Sequence, residues 1–334
     1  MSRLSSSLLR PSTMFLQLCM LTALIRSTLA TPSLGCTANS SWAFDATNHA
    51  NQTLGNRSFW VHLPAGYNAT LAHPLVLSFH GYDEDDRIHE QDTGFSKEKL
   101  LIAGKGIIAV YPLASYGPGK YGKFGKRARA WTGAPYASPE AQDLQFVLDA
   151  LRALQDNLCV DKKRVYAAGM SNGGGFVNLL ACTPETRAHF AAFAPVSPAL
   201  YPGTLPFSPN CTLGTTRPVP LITFHGSADT VVPYAGRTAA DDPPALGPAA
   251  ADDITPPIAD WVAGWAARNA EGCNASASEL EVGVGCAAEV KAFLIENGTH
   301  RWPSTVGPNG AAYSFNATSA QIVPFFGMYT ATNL

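Results

Sequence analysis

Apolar residues along this chain fall into short blocks separated by polar, Gly- and Pro-containing stretches. Pro74-Leu75-Val76-Leu77-Ser78-Phe79 and Gly106 to Tyr111 are almost continuously apolar, as expected of strands covered on both faces. Ser58 to Leu63 and Arg164-Val165-Tyr166-Ala167-Ala168 read as strands too, and others recur near 190, 219 and 288. A different period runs between them. Leu144, Val147, Leu148, Leu151 and Leu154 follow helical spacing, and Ser138-Pro139-Glu140 supplies a serine cap and a first-turn proline. Ala317 to Phe326 reads as a closing helix. Strands separated by helices predict the α/β class: a mostly parallel sheet with helices on both faces. Two segments break the rhythm. Residues 115–137 are rich in Gly and aromatics and carry Lys120, Lys123, Lys126, Arg127 and Arg129; a loop this long borders an active site or is a solvated surface. Residues 239–258, rich in Ala, Pro and Asp, read as a surface insertion.

The beginning of the chain changes the compartment. Arg3 and Arg10 precede a mostly apolar run from Met14 to Ile25, and Thr28-Leu29-Ala30 follows. That run is short of the ~20 residues that span a bilayer. Residues 1–30 therefore read as a secretory signal peptide cleaved after Ala30, and residues 31–334 as one domain. The mature protein is expected to be soluble and extracellular, without a membrane anchor. Charged residues are only 14% of the chain and the net charge is −2, which gives no ground for a nucleic-acid partner. Eight Asn-x-Ser/Thr sequons, at Asn39, Asn51, Asn56, Asn68, Asn210, Asn274, Asn297 and Asn316, suit a secreted glycoprotein. Cys19 leaves with the signal peptide. Cys36, Cys159, Cys182, Cys211, Cys273 and Cys286 remain, enough for three disulfides in about 15 pairings. Cys182–Cys211 and a bridge from Cys36 to the later half are the favoured ones. No C-x-x-C spacing occurs, so no metal is expected.

Candidate chemistry centres on Gly169-Met170-Ser171-Asn172-Gly173, which follows the 164–168 strand and precedes the helix-like run Gly174 to Ala181. A serine at such a strand-to-helix turn stands above the sheet edge, where its hydroxyl can attack a carbonyl. The flanking glycines relieve a turn too sharp for larger side chains. An acid and a histidine follow in the order that this α/β-hydrolase arrangement requires. Asp229 ends the strand from Pro218, and His300 lies in the loop after Glu289 to Ile295. Ser171 would be the nucleophile, His300 its base and Asp229 the group that orients His300. The backbone N–H of Asn172 and those of the His80-Gly81-Tyr82 turn, at Gly81 and Tyr82, are the expected oxyanion donors. The aspartates of the 252–260 stretch, His80 and His225 are weaker competitors; His225 reads as a structural hydrogen-bonding residue. Trp131 and Trp302 are read either as walls of an aromatic acyl pocket or as core. Asn297 begins a sequon that ends beside His300, so it is expected to be unoccupied or to point its sugar outward. The mechanism requires no cofactor.

Several motifs together resemble the secreted fungal feruloyl esterases of carbohydrate esterase family 1, which are related to polyhydroxybutyrate depolymerases and acetylxylan esterases. They are Gly169 to Phe176, His225-Gly226-Ser227-Ala228-Asp229 with Pro233-Tyr234, and His300-Arg301-Trp302-Pro303, joined by His80-Gly81, Trp131-Thr132-Gly133, Asn178 to Cys182, Ala192 to Ser197 and Phe315 to Thr318. The resemblance covers nearly all of residues 55–330. It implies an extracellular esterase that releases ferulic acid from plant xylan or pectin, with feruloylated cell-wall polysaccharide as its partner. The same triad would also serve an acetylxylan esterase or a polyhydroxybutyrate depolymerase. Thr132-Gly133-Ala134-Pro135 and the 239–258 insertion depart from the family pattern and bear on substrate preference. A binding protein of this fold would have lost the triad residues, which are all present here.

Overall fold

The computed structural model describes residues 29–38, 40–97, 99–119, 127–205, 218–238, 254–269, 281–282, 288–305 and 313–331. Nine strands form one sheet among these residues. In chain order they are β1 His49–Leu54, β2 Arg57–His62, β3 His73–Phe79, β4 Ile108–Pro112, β5 Val160–Met170, β6 Ala192–Val196, β7 Leu221–Gly226, β8 Glu281–Val282 and β9 Val290–Ile295. Their order across the sheet is β1-β2-β4-β3-β5-β6-β7-β9-β8. β1 and β2 are an antiparallel hairpin, β2 pairs antiparallel with β4, and β8 pairs antiparallel with β9. All pairings from β4 through β3, β5, β6 and β7 to β9 are parallel.

Two cores lie on opposite faces of this sheet, because successive side chains on a strand point to opposite sides. Leu75, Leu77, Ile108, Val110, Val165 and Ala167 enter one cluster; Val76, Ala109, Tyr111, Tyr166 and Ala168 enter the other. Three helices close the first face: α2 Asp143–Asn157, α3 Asn172–Cys182 and α4 Ile258–Asn269. The second face is closed by the chain around Phe95 and Trp302 and by α5 Val323–Gly327. The expected fold class is therefore the observed one, and burial on both sides explains the continuous apolar blocks.

Some boundaries differ from the sequence reading. The helix expected from Ser138 begins at Asp143. Asp143 is tied to two other segments: its Oδ2 accepts the Thr132 amide at 2.7 Å and its Oδ1 pairs with Arg57 at 2.7 Å. These long-range bonds fix the helix start, and the Ser138 hydroxyl instead meets Glu140. Phe146 and Ala150 are buried on that helix, whereas Leu144 and Leu148 are only half-buried. The closing helix begins as a π-turn, Thr318–Ile322, and continues as α5. The hairpin partner β1, α4 and the helix α1 Asp86–Thr93 carried no clear signal in the pattern. Cys36 bonds Cys159, not a cysteine in the later half: the 34–36 turn packs on the end of α2, beside Leu158. Cys182 is also disulfide-bonded. Cys211, Cys273, Cys286, Lys120, Lys123, Lys126 and residues 1–28 and 239–253 lie outside the described residues.

Candidate active site

Ser171, Asp229 and His300 each stand just beyond the C-terminal end of a parallel strand: β5, β7 and β9. β6 alone separates β5 from β7, and β9 adjoins β7, so one end of the sheet gathers all three residues.

Ser171 has φ 54° and ψ −118°, a conformation that a non-glycine residue holds only when its surroundings impose it. Three backbone bonds do so. Ser171 donates its N–H to Val196 O at 2.9 Å, and its carbonyl accepts the amides of Gly175 and Ala199, each at 2.9 Å. The glycines matter by close approach. A Cβ on Gly169 would stand 2.6 Å from the Gly173 carbonyl oxygen, and one on Gly173 would stand 2.5 Å from His80 O. Asn172 opens α3, so its backbone N–H is among those at a helix start with no intrahelical acceptor. Its side chain faces inward: Oδ1 accepts the Trp131 amide at 2.7 Å.

Asp229 and His300 are joined directly. His300 Nδ1 lies 2.7 Å from Asp229 Oδ2. The other carboxylate oxygen, Oδ1, accepts the amides of Val231 and Val232 at 2.9 and 2.8 Å, a local turn that aims the carboxylate at the histidine. His225 stands behind: its Nε2 is 2.8 Å from Val232 O and 3.4 Å from Asp229 Oδ2. Its expected structural role is thereby met. Burial raises the Asp229 carboxyl, but hydrogen bonds from His225, His300 and Val232, with the charge of His300, outweigh it and hold the group well below the usual carboxylate range. Asp229 thus presents an anion to His300 Nδ1, the arrangement that leaves Nε2 to act as a base. Asn297 is exposed, at φ 56°, and its amide donates to Ser227 Oγ at 2.8 Å.

The turn after β3 packs against the serine: a Cβ on Gly81 would lie 3.7 Å from Ser171 Cβ. The Gly81 N–H donates to Glu84 Oε2 at 2.7 Å. This corrects the expectation for Gly81, whose amide is held by a carboxylate rather than presented to an oxyanion. Burial alone would raise Glu84; the neighbouring His89 ring, the Gly81 amide and His80 bring it down to about 2. His80 is wholly buried, and burial pushes it down to about 4. It is therefore a neutral structural ring.

For Trp131 and Trp302 the structure decides between the two readings in favour of core. Each is 0% exposed, so neither lines an acyl cleft. Trp131 stacks on Phe176 at 5.0 Å and donates Nε1–H to His80 O at 3.1 Å. Trp302 meets His89 and Phe95 edge-on and donates Nε1–H to Thr318 Oγ1. A different aromatic group includes Tyr82 of the turn after β3. Tyr82 meets Tyr136 edge-on at 4.7 Å and Tyr136 meets Tyr201 at 5.5 Å, in a small cluster with Ala199 and Val232. Scattered single tyrosines gave no signal for this grouping, and Glu84 was hidden in the acidic run Asp83-Glu84-Asp85-Asp86. A groove of about 610 Å³ between the β1–β2 hairpin and α2 contains none of the triad candidates in its lining.

Comparison with known proteins bears out the resemblance drawn from the motifs. The chain is 28% identical over 184 residues to feruloyl esterase B of Piromyces equi, covering 54% of this chain and 30% of that protein. It is 28% identical over 177 residues to the bifunctional acetylxylan esterase/xylanase XynS20E of Neocallimastix patriciarum, covering 52% and 22%. It is 28% identical over 229 residues to feruloyl esterase D of Neurospora crassa, covering 67% and 71%. The match thus spans less than a third of the first two relatives. No family model matches the chain. Among solved structures, the feruloyl esterase module from Clostridium thermocellum complexed with sinapinate aligns with TM-score 0.51 and 10% identity, over 92% of this chain and 98% of that one. The acetyl xylan esterase from Aspergillus awamori aligns with TM-score 0.50 and 14% identity, over 84% and 98%. These structures share the α/β-hydrolase fold with the chain.

Proposed function

We propose that this protein is a serine carboxylic ester hydrolase that releases ferulic acid or related hydroxycinnamic acids from plant cell-wall polysaccharide. The observation that carries the reading is the 2.7 Å contact between His300 Nδ1 and Asp229 Oδ2 at the same sheet end as the strained Ser171. Ser171 Oγ attacks the ester carbonyl while His300 takes its proton. Asp229 stabilises the imidazolium that forms. The carbonyl oxygen gains charge and is received by the Asn172 N–H, at the positive end of α3, and by the turn after β3. Collapse expels the sugar alcohol, protonated by His300, and leaves an acyl-serine. Water activated by His300 then frees the acid and restores Ser171.

The hydroxycinnamoyl preference rests on the feruloyl esterases among the relatives. The match to a protein named as an acetylxylan esterase/xylanase favours acetylxylan as the second reading. We place residues 1–30 as a signal peptide and 31–334 as a secreted catalytic domain. Among the described residues no helix is long and apolar enough to cross a membrane. Release of ferulic acid from methyl ferulate and from feruloylated arabinoxylan, by the wild type and by Ser171→Ala, tests the proposal. Release that disappears in the variant is expected. Turnover of acetylxylan alone, again lost in Ser171→Ala, would keep the triad and replace the substrate.

A further inference from the structure

We propose that Glu84 and His80 are positioning residues that set the second oxyanion donor, and that this donor is the Tyr82 amide. The inference rests on the reading of Ser171 as the nucleophile. Residues 80–82 span two peptide planes, and side chains from outside the planes hold both. In the first plane, His80 O accepts Trp131 Nε1–H at 3.1 Å and the Gly81 N–H donates to Glu84 Oε2 at 2.7 Å. A trans peptide points its C=O and N–H in opposite directions, so a partner at each end locks that plane against rotation. In the second plane, the Gly81 carbonyl is bonded by His80. The tautomer follows from the partners. His80 Nε2 is an acceptor, since the Ala114 N–H points at it from 3.0 Å. The neutral ring therefore carries its proton on Nδ1 and donates it to Gly81 O at 2.7 Å. Fixing that carbonyl also fixes the Tyr82 N–H, which points the opposite way within the same plane.

The surroundings hold Glu84 in place in turn. Its Oε2 is 3.6 Å from His89 Nδ1, and His89 Nε2 meets Ser78 Oγ at 2.9 Å on the strand leading into the turn. Past Tyr82 the chain takes a left-handed step at Asp83, φ 54°, and the Asp83 amide donates to Arg129 O at 2.9 Å. The turn is thus preformed before any ester arrives, which is what makes an oxyanion donor effective. Glu84 also keeps the Gly81 amide from competing, because one N–H serves one strong acceptor at a time.

The test compares Glu84→Ala, Glu84→Asp and Glu84→Gln with the wild type. Three quantities are measured on the full chain: kcat and KM for p-nitrophenyl acetate, the Ki of a phenylalkyl trifluoromethyl ketone, and the thermal midpoint. The ketone forms a tetrahedral adduct with serine and reads oxyanion stabilisation directly. Glu84→Gln keeps an acceptor for the Gly81 amide and is expected to stay within about threefold of wild type in kcat and Ki. Glu84→Ala removes the acceptor. It is expected to lose about 10- to 100-fold in kcat with little change in KM, and to weaken the ketone by a similar factor. Glu84→Asp keeps the charge but shortens the reach, and should fall between; it decides the matter if Glu84→Ala does not fold. Unchanged ketone affinity in both Glu84→Ala and Glu84→Asp, or a loss in Glu84→Gln as large as in Glu84→Ala, would overturn the inference. Ser171→Ala is the separate control: hydrolysis that survives it refutes the nucleophile assignment instead.

Discussion

Ser171, Asp229 and His300 carry predictions of different sizes. Ser171→Ala should lower kcat by about 10⁴-fold or more, since the remaining pair cannot replace a nucleophile. Asp229→Asn should cost on the order of 10³- to 10⁴-fold, because it loses the anion that Asp229 presents to His300 Nδ1 and favours the wrong tautomer. Single-turnover assays on an activated ester measure both. Glu84 links the site to acid stability. It protonates near 4.5 in the unfolded chain and at about 2 in the fold. Its contribution to stability is therefore complete above about pH 4.5 and is lost as the pH falls toward 2. The size is on the order of 2–3 kcal/mol. Urea unfolding of wild type and Glu84→Gln across this window should show the wild type losing its advantage at the acid end; parallel curves would reject the link. Asp229 acts with the same sign, its share also fading only at low pH. At this scale the candidates Ser171, Asp229 and His300 are legible in the sequence, because each lies next to a strand signal, and the structure joins two of them, Asp229 and His300. Glu84 is not, because an acidic run looks the same whether it is solvated or folded back onto a glycine amide.

At the scale of elements, the elbow depends on a close approach between β3, β5 and α3. Gly169 and Gly173 are the contact points: each would press an added Cβ onto backbone oxygen, which no rotamer change relieves. Gly173→Ala is expected to destabilise by about 3 kcal/mol and to displace the turn at His80, so both the thermal midpoint and esterase activity should fall. α1 offers a milder case. Asp85 Oδ1 accepts the amides of Arg87 and Ile88 at 3.0 and 2.8 Å, and Gly94 ends the helix in the left-handed region at φ 65°. Asp85→Ala should cost about 1 kcal/mol in a chemical denaturation experiment. Strands were the readable elements, since burial on both faces leaves long apolar blocks. Helix starts were less readable: Ser138-Pro139-Glu140 has the chemistry of a cap, yet the Arg57 and Thr132 bonds to Asp143 set the start of α2 elsewhere.

The whole molecule is tied across distance as well as packed. Cys36–Cys159 closes a separation of 123 residues, joining the segment before β1 to the residue just before β5, the strand that leads into Ser171. Cys36→Ser with Cys159→Ser should lower stability by about 2–5 kcal/mol, seen as a drop in the thermal midpoint that reducing agent no longer changes at this pair. Esterase activity measured well below that midpoint should persist, because neither cysteine touches the triad.

Periodicity and motif spacing are properties of the chain, so the class of fold, the main strands along the chain and the candidates Ser171, Asp229 and His300 could all be read before any contact was known. The sequence also carried the resemblance to feruloyl and acetylxylan esterases. What depends on distant segments meeting was set by the packed fold. It paired Cys36 with Cys159, placed Trp131 and Trp302 in the two cores, and linked Tyr82 to Tyr201 through Tyr136. It also spent the Gly81 amide on Glu84. The physical reason is the same in each case: an indole, a thiol or an amide has several acceptable partners, and the fold chooses among them by bringing one within reach.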